Sequence, residues 1–174
     1  MKVLAMFTVL MAMAGSAAAE EPCKSPEHPT TSAFEKLKSL TGDWTMTGGD
    51  GGVASSWKVT AGGSAVVETL FPGTPHEMVN IFTLQGKDIH LTHYCAMGNQ
   101  PEMKSDKTAD DKKIAFQFAG GKGINPKKDT HMHNATLTFT SSESIQEDWG
   151  TFVGGKAADS KAFELKRVAP PVAK

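Results

Sequence analysis

Apolar and polar residues alternate in short segments along most of the chain after residue 42, with Gly, Pro and Asn in the turns between them. Alternation with a period of two puts successive side chains on opposite faces and is typical of β-strands that are buried on one face. The pattern predicts about ten strands: Asp43–Thr47, Val53–Thr60, Ser64–Phe71, Met78–Gln85, Asp88–Met97, Glu102–Thr108, Lys113–Ala119, His131–Thr140, Ser144–Val153 and Lys161–Val168.

A helical pattern of about two turns comes before these strands. Its apolar positions are Phe34, Leu37 and Leu40. Thr31 or Ser32 is placed to cap the helix, and Glu35 follows Ser32 by three residues, as in a capping box. Gly42 is expected to end the helix, which is short enough to serve as a cover for a larger element.

Strands that follow one another through short turns favour an antiparallel meander, in which each strand pairs with its neighbours in the chain. A meander of ten strands removes its free edges by closing on itself. We therefore predict an all-β fold, a closed or nearly closed antiparallel barrel with a short N-terminal helix. A sandwich of two sheets is the structural alternative.

The N-terminus has the pattern of a secretory signal peptide. Met1-Lys2 supplies a positive charge, residues 3–14 are apolar, and Ala17–Ala19 fit a signal peptidase site. The apolar run is shorter than the ~20 residues that a membrane-spanning helix needs. We expect a signal peptide over residues 1–19, an extended linker over 20–31, a barrel domain over 32–169 and a tail over 170–174. The mature protein is then periplasmic or secreted, without a membrane anchor.

The charge balance argues against nucleic acid as a partner. The chain has 18 Lys and Arg against 19 Asp and Glu, and cleavage removes Lys2, which leaves a formal charge of −2. Binding to phosphates needs a basic patch, and no dense run of basic residues occurs. An exported protein can hold a disulfide, here between Cys23 and Cys95. The alternative is two unpaired thiols, one of them packed in the sheet.

Two features resemble the lipocalin-like, or calycin, barrels. The segment Gly42-Asp43-Trp44 opens the first strand directly after the helix, and Arg167 lies near the end of the last strand. In those barrels the Trp closes the floor and the Arg packs over it, so the resemblance implies these structural roles for Trp44 and Arg167.

Longer stretches resemble a family of exported bacterial proteins of unassigned function, similar in outline to nitrobindin-type barrels. The stretches are residues 62–68, 75–78, 91–95 and 98–103, and residues 131–133 and 147–149 also fit. The resemblance covers roughly residues 34–167 and implies the fold but no activity. Nitrobindins bind haem through a His near the C-terminus. No His follows His133 in this chain, so that ligand is not carried over, and the cofactor is unknown.

His131 and His133 lie two residues apart on one predicted strand, so their side chains share a face and can meet one metal ion. A turn over residues 141–143 would pair Leu137 with Glu147 and His133 with Thr151. Glu147 would then share that face at two residue pairs from His133, which strains a direct ligand set. The alternative is that His131 lies at the rim and His133 makes local hydrogen bonds.

A second candidate metal face is formed by His93, Cys95 and Met97, whose imidazole, thiol and thioether groups suit copper. Cys95 cannot serve both this site and a disulfide. The alternative is a packed strand face with one buried, hydrogen-bonded His.

Three functions follow from these residues. The first is a binding protein that holds a small hydrophobic or amphipathic molecule inside the barrel, oriented by His93, His133, Glu147 and Trp149. An interior filled by the protein's own side chains would argue against it. The second is a metal- or haem-binding protein that uses the barrel histidines. The third is an enzyme with His133 and Glu147 as an acid–base pair.

Overall fold

A computed structural model describes residues 30–107 and 109–169. It contains one α-helix, α1 (Ser32–Lys38), followed by ten strands. These are β1 (Gly42–Met46), β2 (Val53–Thr60), β3 (Ala65–Leu70), β4 (Met78–Gln85), β5 (Asp88–Tyr94), β6 (Glu102–Ser105), β7 (Lys113–Gly120), β8 (His131–Phe139), β9 (Ser144–Val153) and β10 (Lys156–Arg167).

The ten strands form a closed antiparallel barrel. Each strand pairs with its neighbours in the chain, and β1 closes the ring by pairing with β10, where Trp44 lies opposite Arg167. The predicted meander is thus confirmed, and the two-sheet sandwich is excluded. Apolar residues at alternate strand positions fill the interior, as the period-two pattern indicates.

Several strand ends differ from the prediction by one residue, and the ends of β5 and β6 and the start of β10 differ by three or more. β10 begins at Lys156, because backbone pairing with β9 continues through exposed residues that show no apolar alternation. β5 ends at Tyr94, because the Cys95 carbonyl accepts from the Gly98 N–H in a turn. Met97 lies in that turn and is 50% exposed. The prediction that Cys95 and Met97 continue the inward face of His93 is therefore wrong, and with it the copper-binding face.

The helix begins one residue earlier than a capping box at Ser32 requires. Thr31 is the N-cap, and its hydroxyl accepts from the Phe34 N–H at 3.2 Å. Glu35 consequently lies beyond the capping-box position and accepts from Lys38 instead. The helix ends at Lys38, and Gly42 opens β1 with a φ of 121° rather than ending the helix. No helix in residues 30–107 and 109–169 is long and apolar enough to cross a membrane.

The helix closes one end of the barrel through Trp44, which is fully buried. The indole N–H of Trp44 donates to the Leu40 carbonyl at 2.8 Å. The Arg167 guanidinium lies 4.4 Å from the centre of the Trp44 ring, and it donates to the carbonyls of Thr41 and Ser39 at 2.8 and 2.9 Å. One side chain from the last strand thus ties the helix to the first strand.

Three predictions concern residues that lie outside the described part of the chain. They are the signal peptide over 1–19, most of the linker over 20–31 and the tail over 170–174. The predicted disulfide between Cys23 and Cys95 also involves a residue outside this part, because Cys23 is not among the described residues. Cys95 is described and is half-buried. These remain predictions.

The loop between β7 and β8 packs closely on the loop between β5 and β6, which makes Gly121 difficult to replace. A Cβ at Gly121 would lie 2.7 Å from the Gln100 carbonyl oxygen, at a φ of 147°. We expect Gly121→Ala to destabilise the protein by more than about 1 kcal/mol, measured by urea unfolding. Gly123→Ala is the control, because Gly123 has positive φ but no neighbour within 4 Å. An equal loss in both variants would contradict the close approach.

Candidate ligand site in the barrel interior

A row of polar and aromatic residues crosses four adjacent strands on their inward faces. Trp57 of β2 is the register partner of Glu68, Glu68 of Asn80, and Asn80 of His93. All four side chains are buried. Glu68 shares its face with Val66 and Leu70, so this carboxyl group lies where the strand pattern calls for an apolar side chain.

Hydrogen bonds link the row into a network with a defined direction. The Ser55 hydroxyl donates to Glu68 Oε1 at 2.6 Å, and the Asn80 amide donates to Glu68 Oε2 at 2.7 Å. Asn80 Oδ1 is then an acceptor, and His93 Nδ1 lies 2.7 Å from it. His93 must therefore carry its hydrogen on Nδ1, which leaves a lone pair on Nε2.

Glu147 and Trp149 of β9 complete the site from the other side of the barrel. The Trp149 indole N–H donates to Glu147 Oε2 at 3.2 Å, and the Trp149 ring centre lies 4.9 Å from that of His93. The carboxyl groups of Glu147 and Glu68 lie close enough for a proton on one of them to be donated to the other. Closure of the barrel thus brings β3 and β9 together at a buried pair of carboxyl groups.

Burial governs the protonation of this pair. It raises the pKa of Glu68, while hydrogen bonds from Glu147, Ser55 and Asn80 act in the opposite direction. The pKa of Glu147 is raised well above its ordinary value by burial and then by the charge of Glu68. Glu147 therefore holds the proton and donates it to Glu68, because two close carboxylates in an apolar interior cannot both ionise.

His93 is neutral at physiological pH. Burial lowers its pKa to about 4. With Nδ1–H directed to Asn80, the lone pair on Nε2 can accept a hydrogen bond or a proton. No described residue donates to His93 Nε2.

Two further buried polar atoms in this interior lack a hydrogen-bond partner among the described residues, namely Trp57 Nε1 and Glu147 Oε1. The proton shared with Glu68 is the partner available to Glu147 Oε1. Leaving a buried polar group without a partner costs about 1–3 kcal/mol. Among the described residues of this region, the groups that still lack a partner are thus one acceptor, His93 Nε2, and one donor, Trp57 Nε1.

A narrow cavity of about 10 Å³ lies among these residues, room for roughly one water molecule. Glu68, Glu147 and the indole rings of Trp57 and Trp149 line it. The surface of the cavity is mostly apolar, with further contributions from Phe82, Leu91, Phe116, Ala135 and Leu137. His93, whose ring centre lies 4.9 Å from that of Trp149, does not itself line the cavity. The interior is therefore nearly filled by the protein's own side chains, which argues against a large preformed ligand cavity.

His131 and His133 form a separate cluster at the start of β8. His131 Nδ1 lies 2.9 Å from the Asp129 carbonyl, and His131 Nε2 lies 3.0 Å from His133 Nδ1. The His133 ring stacks between Phe118 and Phe152, with ring centres at 5.1 and 3.6 Å. A metal ion bound by both histidines would have to replace the hydrogen bond between them. Within residues 30–107 and 109–169, no group of three or more His, Cys, Asp and Glu residues could hold a metal.

The register between β8 and β9 explains why His133 does not meet Glu147. Leu137 pairs with Glu147 as predicted, but a bulge lies between Met132 and Asn134, and Thr151 pairs with Met132. The predicted pairing of His133 with Thr151 is therefore wrong. A bulge inserts one unpaired residue and redirects its side chain. The ring contacts and hydrogen bonds of His133 in the described chain go to His131 and the two Phe rings.

The structure thus brings together three of the four predicted ligand-binding residues, His93, Glu147 and Trp149, and places His133 elsewhere. Sequence reasoning missed Glu68 and Asn80, which connect them. The sequence did contain a signal for both residues, because each is a polar residue within an alternating apolar face. Glu68, for example, lies between Val66 and Leu70.

The sequence matches no model of a known protein family, and no curated protein is similar to it.

Proposed function

We propose that this is an exported protein that binds a small amphipathic molecule in the barrel interior, with the polar end of that molecule at His93 and Glu147. The observation that carries the proposal is the buried, neutral His93, whose Nε2 lone pair has no donor in the described chain. In the same region, Trp57 Nε1–H has no acceptor among the described residues, and Glu147 Oε1 has no partner there apart from the proton shared with Glu68. A ligand that hydrogen-bonds to these atoms would recover what their burial costs.

The lining of the cavity favours a ligand that is mostly apolar and has one polar end. Phe82, Leu91 and Phe116 line it together with the two indole rings, and Glu68 and Glu147 supply its carboxyl groups. Such a mixture of apolar surface and a few convergent polar groups is typical of small-molecule sites. The resemblance to exported lipocalin-like barrels points in the same direction and is part of this proposal.

The competing explanation is a single buried water, because the cavity holds roughly one. A larger ligand requires side chains of the cavity wall to change rotamer when it binds. The experiment must therefore distinguish a bound organic molecule from water, which native mass spectrometry does directly.

His93→Leu is expected to weaken retention of the ligand by about tenfold, the effect of losing one hydrogen bond of about 1.4 kcal/mol. The measurement is native mass spectrometry of protein purified from the periplasm of a bacterial host, with the occupancy of any added mass compared between variants. His90→Leu is the matched control, because His90 lies on the other face of β5 and is half-buried.

A wild-type native mass equal to that of the bare chain, together with no binding of added amphipathic probes, would contradict the proposal. Equal occupancy in the two His variants would remove His93 from the site. The denatured mass of the same sample tests whether cleavage follows Ala19 and whether Cys23 and Cys95 are joined. The native mass also detects a metal or haem, the alternative based on His131 and His133, as an added mass that is lost on denaturation.

Acid–base catalysis is a second candidate function. It is favoured by the pair His93 and Glu147 and not by the predicted pair of His133 and Glu147. His93 offers a lone pair and Glu147 a proton, and both contact Trp149. These are the two protonation states that a general base and a general acid require. Incubating the recovered ligand with wild type and with His93→Leu, followed by NMR, tests this. Chemical conversion by the wild type alone would favour an enzyme, and an unchanged ligand would favour a carrier.

A further inference from the structure

Resting on the proposed function, we propose that the ligand of the interior site carries a primary ammonium group, which takes the place of the proton that Glu68 and Glu147 share. The charge of the carboxyl pair, the acceptors around it and the aromatic residues that line the cavity all favour such a ligand.

The carboxyl pair with one proton has a net charge of −1 in a buried place. The ion pairs found in the described chain join Lys38 to Glu35, Lys104 to Asp88 and Arg167 to Glu143. None of them reaches Glu68 or Glu147. A buried anion is costly without a cation close to it, so the interior favours a positively charged guest.

Once the shared proton has left, acceptors outnumber donors in this region. His93 Nε2 lacks a donor and Glu147 Oε1 has lost its hydrogen, whereas among the described residues of the region Trp57 Nε1 is the buried donor that lacks an acceptor. A primary ammonium group offers three N–H donors to such acceptors. An alcohol has one donor, and a carboxylate ligand has none and would be repelled by the pair.

The aromatic residues of the cavity support the same charge. Trp57 and Trp149 line it together with Phe82 and Phe116. The face of an aromatic ring attracts a cation, and Trp does so most strongly. The cavity has room for about one water, and an ammonium head is of similar size. The alkyl part of the ligand would lie against apolar lining residues such as Phe82, Leu91 and Phe116, whose side chains must rearrange to make room.

Binding is then an exchange of one cation for another. The ammonium group enters with its charge, the shared proton leaves to the solvent, and the charge of the site is conserved. Among the titratable groups of the network, His93 also faces the pair through Asn80, and it stays neutral in this pH range. Affinity for the cation should therefore rise about tenfold per pH unit while the pair is protonated. An alkylammonium group keeps its charge throughout, since the ordinary amine pKa is about 10.

The test uses three probes that differ only in their head groups, namely hexylammonium, 1-hexanol and hexanoate. Binding is measured by isothermal titration calorimetry near neutral pH, in two buffers with different ionisation enthalpies so that released protons are counted. We expect hexylammonium to bind at least about tenfold more tightly than hexanol, with about one proton released. Hexanoate should bind most weakly.

Glu147→Gln is the key variant, because the amide can still donate to Glu68 but cannot release a proton. It should lose about tenfold or more in affinity for hexylammonium and release no proton, while its affinity for hexanol is unchanged. Glu68→Gln, the second variant, should lose affinity in the same way. Glu102→Gln on β6, an exposed residue, is the matched control and should behave as the wild type. Circular dichroism establishes that each variant is folded.

The outcomes separate this inference from the proposed function. Hexanol or hexanoate binding as tightly as hexylammonium, or recovery of a native ligand without a basic nitrogen, would overturn the inference and leave the binding function intact. Binding of hexylammonium without proton release would overturn the exchange. Failure of all three probes, with a bare native mass, would overturn both.

Discussion

Glu147→Gln is expected to be more stable than the wild type at alkaline pH and equally stable near pH 4.5. In the folded protein the pKa of Glu147 is raised, so the fold retains a proton that the unfolded chain releases above its ordinary value of 4.5. The wild type therefore loses stability as pH rises from 4.5 through the folded pKa, by about 1.4 kcal/mol per pH unit for one proton. Glutamine resembles the protonated acid and does not titrate, so the variant lacks this loss.

His93 contributes with the opposite sign and over a different range. Its folded pKa of about 4 lies below the ordinary 6.5, so its contribution to stability increases with pH between these two values. In the wild type this gain offsets the loss from Glu147 up to about pH 6.5. In Glu147→Gln the gain in stability from His93 should become visible. Any loss of stability that remains at alkaline pH would come from Glu68.

The measurement is urea unfolding of ligand-free protein from pH 4.5 to 9, monitored by circular dichroism. Glu102→Gln again serves as the control, because an exposed carboxyl group should leave the profile parallel to that of the wild type. Parallel profiles for Glu147→Gln and the wild type would show that Glu147 does not hold a proton in the fold. The result is independent of any ligand, so it tests the site before the ligand is known.

Trp44→Ala is expected to destabilise the protein by about 3–5 kcal/mol, the range for deleting a large aromatic side chain from a core. Trp44 is fully buried, donates to the Leu40 carbonyl and lies beneath the Arg167 guanidinium. Its removal leaves a cavity where the helix meets the barrel and takes away the ring on which Arg167 rests. The measurement is the urea concentration at the midpoint of unfolding, with the dependence of the unfolding free energy on urea fitted as one common value for the wild type and the variant.

Trp44→Phe serves as the control for packing. It keeps most of the aromatic volume but removes the indole N–H, so a loss of about 1–2 kcal/mol is expected. Arg167→Lys should also be destabilising, because one ammonium group cannot reproduce the planar contact with Trp44 and the bonds to Ser39 and Thr41. A Trp44→Ala midpoint equal to that of the wild type would show that the helix end does not depend on this ring.

The alternation of the strands was readable from the sequence because it reflects a local rule, that side chains on a pleated strand alternate between two environments. β2, β4 and β9 have the predicted ends. The rule fails where backbone pairing continues without apolar residues, as at Lys156 in β10. It fails again where a turn interrupts an apparently continuous strand, as at Cys95 after β5.

Alternation along the strands is a local property, and it was enough to predict that His93, Glu147 and Trp149 face the interior. Which of these side chains meet depends on how distant strands come together in the folded barrel. Glu68 and Glu147 come together because the barrel closes between β1 and β10, a long-range event that no local pattern encodes. His133 lies four residues along β8 from Leu137, the register partner of Glu147, and a bulge at His133, which alternation cannot reveal, shifts the pairing beyond that point. Burial then assigned the proton, since the charge of a carboxyl group depends on its surroundings and not on its place in the chain.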